Sequence, residues 1–92
     1  MIYSLEFSEV AERHLKEWKK SGQKKILKKI ANLLEELTLH PEYGTGHPEQ
    51  LKGNLVGFWS RHINKGSRII YKIEEDRVVV VIVSMKPHYS DK

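Results

Sequence analysis

Ninety-two residues bound a single domain (1–92), because a chain of this length has no room for a second hydrophobic core. Its 39% hydrophobic and 30% charged residues exclude a disordered or membrane-embedded composition, and the lack of cysteine excludes disulfides, thiolate nucleophiles and cysteine zinc sites together. The formal charge of +4, from 16 Lys+Arg against 12 Asp+Glu, favours polyanionic partners such as nucleic acid or an acidic protein segment.

In chain order, Ile2–Phe7 alternates Ile2, Ser4 and Glu6 against Tyr3, Leu5 and Phe7, which predicts an opening strand with one apolar face. The stretch is short and carries Glu6, so it does not read as a leader or a membrane span, and a cytoplasmic location is the expectation. Ser8 is placed to cap a helix whose first turn holds Glu9 and Glu12, where the helix dipole favours anions. Val10, Ala11, His14, Leu15 and Trp18 follow at helical spacing, Lys19 and Lys20 close the helix, and Ser21-Gly22 breaks it. A second helix carries Ile26, Ile30, Leu33 and Leu37, with Leu27 and Leu34 widening the stripe. Its lysines (Lys24, Lys25, Lys28, Lys29) come early and its glutamates (Glu35, Glu36) late. That order opposes the dipole, so packing must hold this helix. His40 before Pro41 stops it.

Pro41–Gln50 is a Gly- and Pro-rich loop, and Leu51–Gly57 leaves room for a short strand. Phe58–Ile63, Arg68–Ile73 and Arg77–Ser84 read as strands, with turns at Asn64–Ser67 and Glu74–Asp76. The order β-α-α-β-β-β-β predicts an α+β fold, a helical hairpin laid across a mainly antiparallel sheet. With two or four residues in the first turn, Ile63 lies opposite Arg68. Alternation then groups Trp59, Arg61, Ile63, Arg68, Ile70 and Lys72 on an open face, and Phe58, His62, Ile69, Tyr71 and Ile73 on the core face. A three-residue loop with a bulge at Gly66 would undo that grouping. Three cations on an open sheet, beside a loop with Glu49, suit a phosphate-bearing ligand.

The residues His47-Pro48-Glu49-Gln50-Leu51-Lys52, Asn54-Leu55-Val56-Gly57-Phe58-Trp59-Ser60-Arg61, Ser67-Arg68-Ile69-Ile70-Tyr71 and His88-Tyr89 together resemble the YoeB-type toxins of the RelE/ParE superfamily. The resemblance spans essentially the whole chain. His62 stands where that family usually has a second Arg, Pro87 precedes the terminal His, and Ser90-Asp91-Lys92 runs past the usual end.

The resemblance implies a RelE-like fold and a ribosome-dependent mRNA endonuclease that works without metal or other cofactor. RNA can be cut in this way if its own 2′-hydroxyl attacks the adjacent phosphorus. That requires a base, a cation for the growing charge and an acid for the departing oxygen. By resemblance Glu49 is the base, Arg68 the phosphate clamp and His88 the acid, with Lys52, Arg61 and Tyr89 binding RNA. An imidazole with an ordinary pKa of about 6.5 can donate a proton near neutrality. The implied partners are a cognate YefM/Phd-like antitoxin, the ribosome with its mRNA, a second copy of the chain, and operator DNA only through the antitoxin complex. No membrane partner is implied.

Each residue also has an ordinary structural role to weigh. Glu49 in a polar loop is usually a solvated charge, Arg68 at a strand start a cross-strand ion-pair partner, and His88 near a terminus frayed and inert. Trp59 beside Phe58 is more often packing than a base-stacking platform. The histidines lack metal-ligand spacing, Gly44-Thr45-Gly46 lacks the following helix and Lys of a phosphate loop, and the hairpin buries the helix that a DNA reader would expose. The competing function is a catalytically silent ParE-like relative that poisons DNA gyrase or only binds its antitoxin. Such relatives lack the Glu/Arg/His set, which this chain carries.

Overall fold

A computed structural model describes residues 2–86. Strand β1 (Ser4–Phe7) leads into helices α1 (Glu9–Ser21) and α2 (Lys24–Leu39), followed by strands β2 (Glu49–Gln50), β3 (Trp59–Asn64), β4 (Ser67–Glu74) and β5 (Val79–Ser84). The five strands form one sheet in the order β1-β5-β4-β3-β2. β1 runs parallel to β5 and every other pair is antiparallel. This is the α+β arrangement expected, with both helices on one face. No helix among the described residues is long and apolar enough to cross a membrane.

The helices follow their sequence signals closely. The Ser8 hydroxyl accepts the Ala11 N–H at 3.0 Å, and Gly22 ends α1 in the left-handed region at φ 69°. α2 has no side-chain N-cap and no acid in its first turn. Its stability therefore comes from the stripe Ile30, Leu33 and Leu37, which is buried against Ile63, Ile69, Tyr71, Val80 and Ile82 of the sheet. Leu33 is wholly enclosed at the centre of this core. Leu33→Ala is expected to cost about 2–5 kcal/mol, because a packed site collapses only partly around the lost methyl groups. Urea unfolding with an unchanged m-value would check this.

The short strand falls at Glu49–Gln50 and not within Leu51–Gly57, where the chain makes a 3-10 turn at Gly53–Leu55. Gly53 and Gly57 both have positive φ (67° and 97°), which bends this stretch away from the ladder.

The largest departure concerns the faces of β3. Asn64 lies opposite Ser67, but His62 lies opposite Arg68, so Ile63 is an extra residue in the ladder. This bulge sits at Ile63 and not at Gly66, and it shifts every earlier residue of β3 by one. The Lys29 ammonium donates to the Ile63 carbonyl at 3.4 Å, which serves a group taken out of regular pairing. Trp59, Arg61 and Ile63 thereby join Ile69, Tyr71 and Ile73 under the helices. Ser60 and His62 share the open face with Arg68, Ile70 and Lys72. A second register shift lies between Ile70 and Tyr71 on the β5 side, where Ile82 pairs with Tyr71 and Ser84 with Ile70. There the Ser8 hydroxyl donates to the Val83 carbonyl at 2.8 Å.

Candidate active face of the sheet

Arg61 is the clearest correction. It was expected among the phosphate ligands on the open face, yet its side chain is completely buried on the helix side. A guanidinium has five N–H donors, and here each finds an acceptor. Nε donates to the Tyr71 hydroxyl (3.3 Å), Nη1 to Glu36 (2.8 Å) and the Thr45 carbonyl (3.3 Å), and Nη2 to the carbonyls of His40 (2.6 Å) and Tyr43 (2.9 Å). The Tyr71 hydroxyl in turn donates to the Pro41 carbonyl at 2.7 Å. Arg61 has no donor left for phosphate. It pins residues 40–45, the loop that carries the chain into β2.

Glu36 completes that pin, accepting from the Thr45 hydroxyl (2.6 Å) and N–H (2.8 Å) as well as from Arg61. Burial alone would push its carboxyl pKa up. The Thr45 and Arg61 hydrogen bonds and the Arg61 charge outweigh it and leave the pKa below its ordinary 4.5. A depressed folded value means that this stabilisation is present above about pH 4.5 and is lost as pH falls through the lower folded value. Acid unfolding should therefore begin below that pH and be shallower in Glu36→Gln, as read by circular dichroism during titration.

The loop ends in a tight approach. Gly46 has φ 86°, its carbonyl accepts the His62 N–H at 2.7 Å, and a Cβ there would meet the His62 carbonyl at 2.9 Å. His47 follows at φ 56°, an uncommon conformation for a residue with a side chain. This path delivers Glu49 to the sheet edge.

On the open face the register makes two rows. In one, Glu49 of β2, Ser60 of β3, Ile70 of β4 and Ser84 of β5 are successive cross-strand partners. In the other, His62 lies opposite Arg68, and the His47 ring lies 6.2 Å from that of His62. His47 also places Nε2 3.9 Å from Glu49, whose side chain is 48% exposed. Strand spacing puts the Glu49 and Arg68 backbones about 12 Å apart, so their side chains can approach a bound group from opposite sides. Among the described residues Arg68 has no ion-pair partner, in contrast to Lys72, which pairs with Glu74 at 3.3 Å. The cross-strand ion pair that a strand-start arginine usually makes is thus not what occupies Arg68 here.

The hydroxyls of Ser60 and Ser84 are buried, without a hydrogen-bond partner among the described residues. They flank Ile70, beside an apolar hollow of about 310 Å³ lined by Val10, Leu55, Phe58, Ile70, Val83 and Ser84. Lys52 is exposed three residues after Glu49, at the head of the 3-10 turn. Trp59 stacks on Tyr71 at 6.4 Å on the helix side, which makes it packing and not a platform. His88 and Tyr89 lie outside the described residues. No group of three or more potential metal-ligating side chains occurs among the described residues.

The structure thus brings Glu49 and Arg68 to one face, removes Arg61 from it and adds His47 and His62. The departure of His62 from the usual Arg was visible in the sequence. That of His47 was not, because its place depends on the Gly46 turn.

Residues 7–89 match the family described as the YoeB-like toxin of bacterial type II toxin–antitoxin systems. The chain is 40% identical over 72 residues to Toxin YoeB of Synechocystis, covering 78% of this chain and 81% of that one. It is 31% identical over 88 residues to the mRNA interferase toxin RelE of Escherichia coli, covering 92% and 82%. Among solved structures it is similar to a YoeB/ParE toxin from Agrobacterium tumefaciens, with TM-score 0.86, 26% identity, and 94% of this chain and 99% of that chain covered. It is also similar, at 34% identity over 97% of this chain and all of the other, to Staphylococcus aureus YoeB. That protein is seen as a dimer (TM-score 0.80) and in complex with YefM (0.79).

Proposed function

The chain belongs to the YoeB-like toxin family of bacterial type II toxin–antitoxin systems, and from that premise we propose that it is a ribosome-dependent mRNA endonuclease that needs no metal. The observation that carries this reading is the exposed carboxylate of Glu49 and the guanidinium of Arg68, without an ion-pair partner among the described residues, on one sheet face, with His62 and His47 between and beside them. A phosphodiester held between Glu49 and Arg68 would meet the base at one end and the cations at the other.

In this reading Glu49 takes the proton from the 2′-hydroxyl as the O2′–P bond forms. Arg68 holds the charge that grows on the phosphate oxygens. The P–O5′ bond breaks, and His88 gives a proton to the departing 5′-oxygen, leaving a 2′,3′-cyclic phosphate and a 5′-hydroxyl. Tyr89 and Lys52 would bind the neighbouring nucleotides. The helices cover only the other side of the sheet, which leaves Glu49 exposed and His62 and Arg68 partly exposed. A ribosome that presents a splayed message would supply the remaining contacts.

The same exposure calls for a mask. The partner expected is a YefM/Phd-like antitoxin whose acidic or amphipathic segment covers the face, with operator DNA bound only by the toxin–antitoxin complex. S. aureus YoeB is seen both with YefM and as a dimer, which supports an antitoxin complex and a homodimer for this chain. A translation target places its action in the cytoplasm.

The deciding experiment is translation in a reconstituted extract with mRNA 5′-ends mapped by primer extension, for the wild type, Glu49→Ala and His88→Ala. Cuts confined to the decoding position and weakened at least about a hundredfold in each variant are the expected result. Intact mRNA with translation unaffected would overturn the nuclease reading and favour a gyrase poison or a pure binding protein.

A further inference from the structure

The cleavage scheme leaves one side chain of this sheet face without a task, the imidazole of His62. Its backbone is fixed on both sides. The His62 N–H donates to the Gly46 carbonyl at 2.7 Å, and across the other ladder His62 is the direct partner of Arg68. Direct cross-strand partners have Cβ atoms about 4.5–5.5 Å apart on one face, so imidazole and guanidinium stand side by side. Both residues are partly exposed. Among the described residues neither is held in an ion pair, and the histidine rings that hydrogen-bond are those of His14 and His40.

The strands that flank β3 supply every other charged group known to face this ring. From the β2 side come His47, whose ring lies 6.2 Å away, and Glu49, whose carboxylate lies 3.9 Å from His47. From the β4 side comes Arg68, while Lys72 farther along that strand is taken up by Glu74. The turn at Gly46 that delivers Glu49 therefore also fixes His62, so the carboxylate and the imidazole share one support.

We propose that His62 is a second phosphate ligand of this face, binding as imidazolium beside Arg68, so that RNA binding takes up a proton and tightens as pH falls. The ligand is a phosphate of RNA held between the two side chains. The proposal rests on the nuclease reading for the identity of that ligand, and not for the act of cutting it.

The pair offers one fixed cation and one conditional cation to the same anion. A guanidinium is charged at every physiological pH, whereas an imidazole ordinarily changes charge between about pH 5 and 8. A phosphate on Arg68 brings negative charge within reach of the His62 ring, and an opposite charge within about 4–6 Å favours the protonated form. Both ring nitrogens are then donors. The coupling is reciprocal, so whatever the phosphate does for the proton, the proton does for the phosphate.

The test uses the full-length protein and a 2′-O-methyl RNA oligonucleotide, which lacks the attacking hydroxyl and stays intact. Ring ¹H–¹³C signals of His62, assigned by their loss in His62→Gln, are followed against pH with and without the oligonucleotide. With it, the midpoint of the His62 titration should lie about one pH unit higher, and affinity should rise about tenfold from pH 8 to 5.5. His62→Arg should bind tightly at both pH values and His62→Gln weakly at both, each with a flatter profile than the wild type.

An unmoved His62 titration at millimolar oligonucleotide overturns the proposal. So does a binding profile that His62→Gln leaves as steep as before. Mapping of mRNA 5′-ends decides the nuclease reading separately. Cuts at the decoding position with an unmoved His62 would keep the nuclease and remove His62 as a ligand. A raised His62 midpoint in a protein that leaves mRNA intact would support the ligand role and make the face an RNA-binding site without cleavage.

Discussion

Arg61→Ala is expected to remove a large share of the protein's folding stability. The substitution removes one guanidinium and strands its five acceptors, which are Glu36, the Tyr71 hydroxyl and the carbonyls of His40, Tyr43 and Thr45. Breaking a buried pair by deleting one partner costs about 3–5 kcal/mol, against a total stability of about 5–15 kcal/mol for a small domain. At about 4–8 °C per kcal/mol for a domain of this size, the melting temperature should fall by at least about 12 °C. Arg61→Lys should fall between, since an ammonium offers three donors where five are used. Scanning calorimetry of both variants checks the order. A phosphate-binding Arg61 would behave in the opposite way, with normal melting and weak RNA binding. A melting temperature within a degree or two of wild type would refute the structural role.

Arg68→Ala should separate from Arg61→Ala in every respect. Arg68 lies half-buried on the open face with no ion-pair partner among the described residues, so its loss strands no buried carboxylate. Melting should change little, within about 0.5 kcal/mol. Cleavage should fall about 100- to 1,000-fold, the usual loss when a preorganised donor to developing charge is removed. Arg68→Lys should recover part of it, because a lysine restores the charge without the planar fork. Single-turnover cleavage on programmed ribosomes, paired with melting curves, gives both numbers. A variant that melts early and cuts slowly in proportion would make Arg68 structural.

Much of the fold was legible in the sequence because the helices carry local signals. Ser8, the 3.6-residue spacing of Ile30, Leu33 and Leu37, Gly22 and His40-Pro41 each act over a few residues, and each falls where the structure uses it. The faces of β3 were not legible. Phe58 and Trp59 are adjacent aromatics, so both alternation phases offer an aromatic and a polar residue, and hydropathy does not choose between them. What chooses is a bulge at Ile63 whose carbonyl is served by Lys29, a residue 34 positions away. The burial of Arg61 was hidden for a related reason. Most of its acceptors are backbone carbonyls in a loop, and carbonyls leave no trace in residue type. Alternation placed Arg68 on a cationic face beside the Glu49 loop, but only the motif resemblance gave the two their roles, since a glutamate in a loop and an arginine on a strand are ordinary. Their common face became visible once the register was known.

The Ile63 bulge also implies a rival hairpin. Without it, the same Asn64–Ser67 turn would continue into a regular ladder with Ile63 opposite Arg68, and Arg61 would point away from the helices. The two hairpins share a turn and differ by a slip of one residue, so local geometry discriminates little between them. The nest of acceptors around Arg61 exists in only one. Arg61 therefore acts as the chain's register key, and its replacement by any residue content on either face should let the slipped hairpin compete. Such a variant would be heterogeneous as well as weak, with doubled amide resonances along β3 that no simple loss of stability would produce.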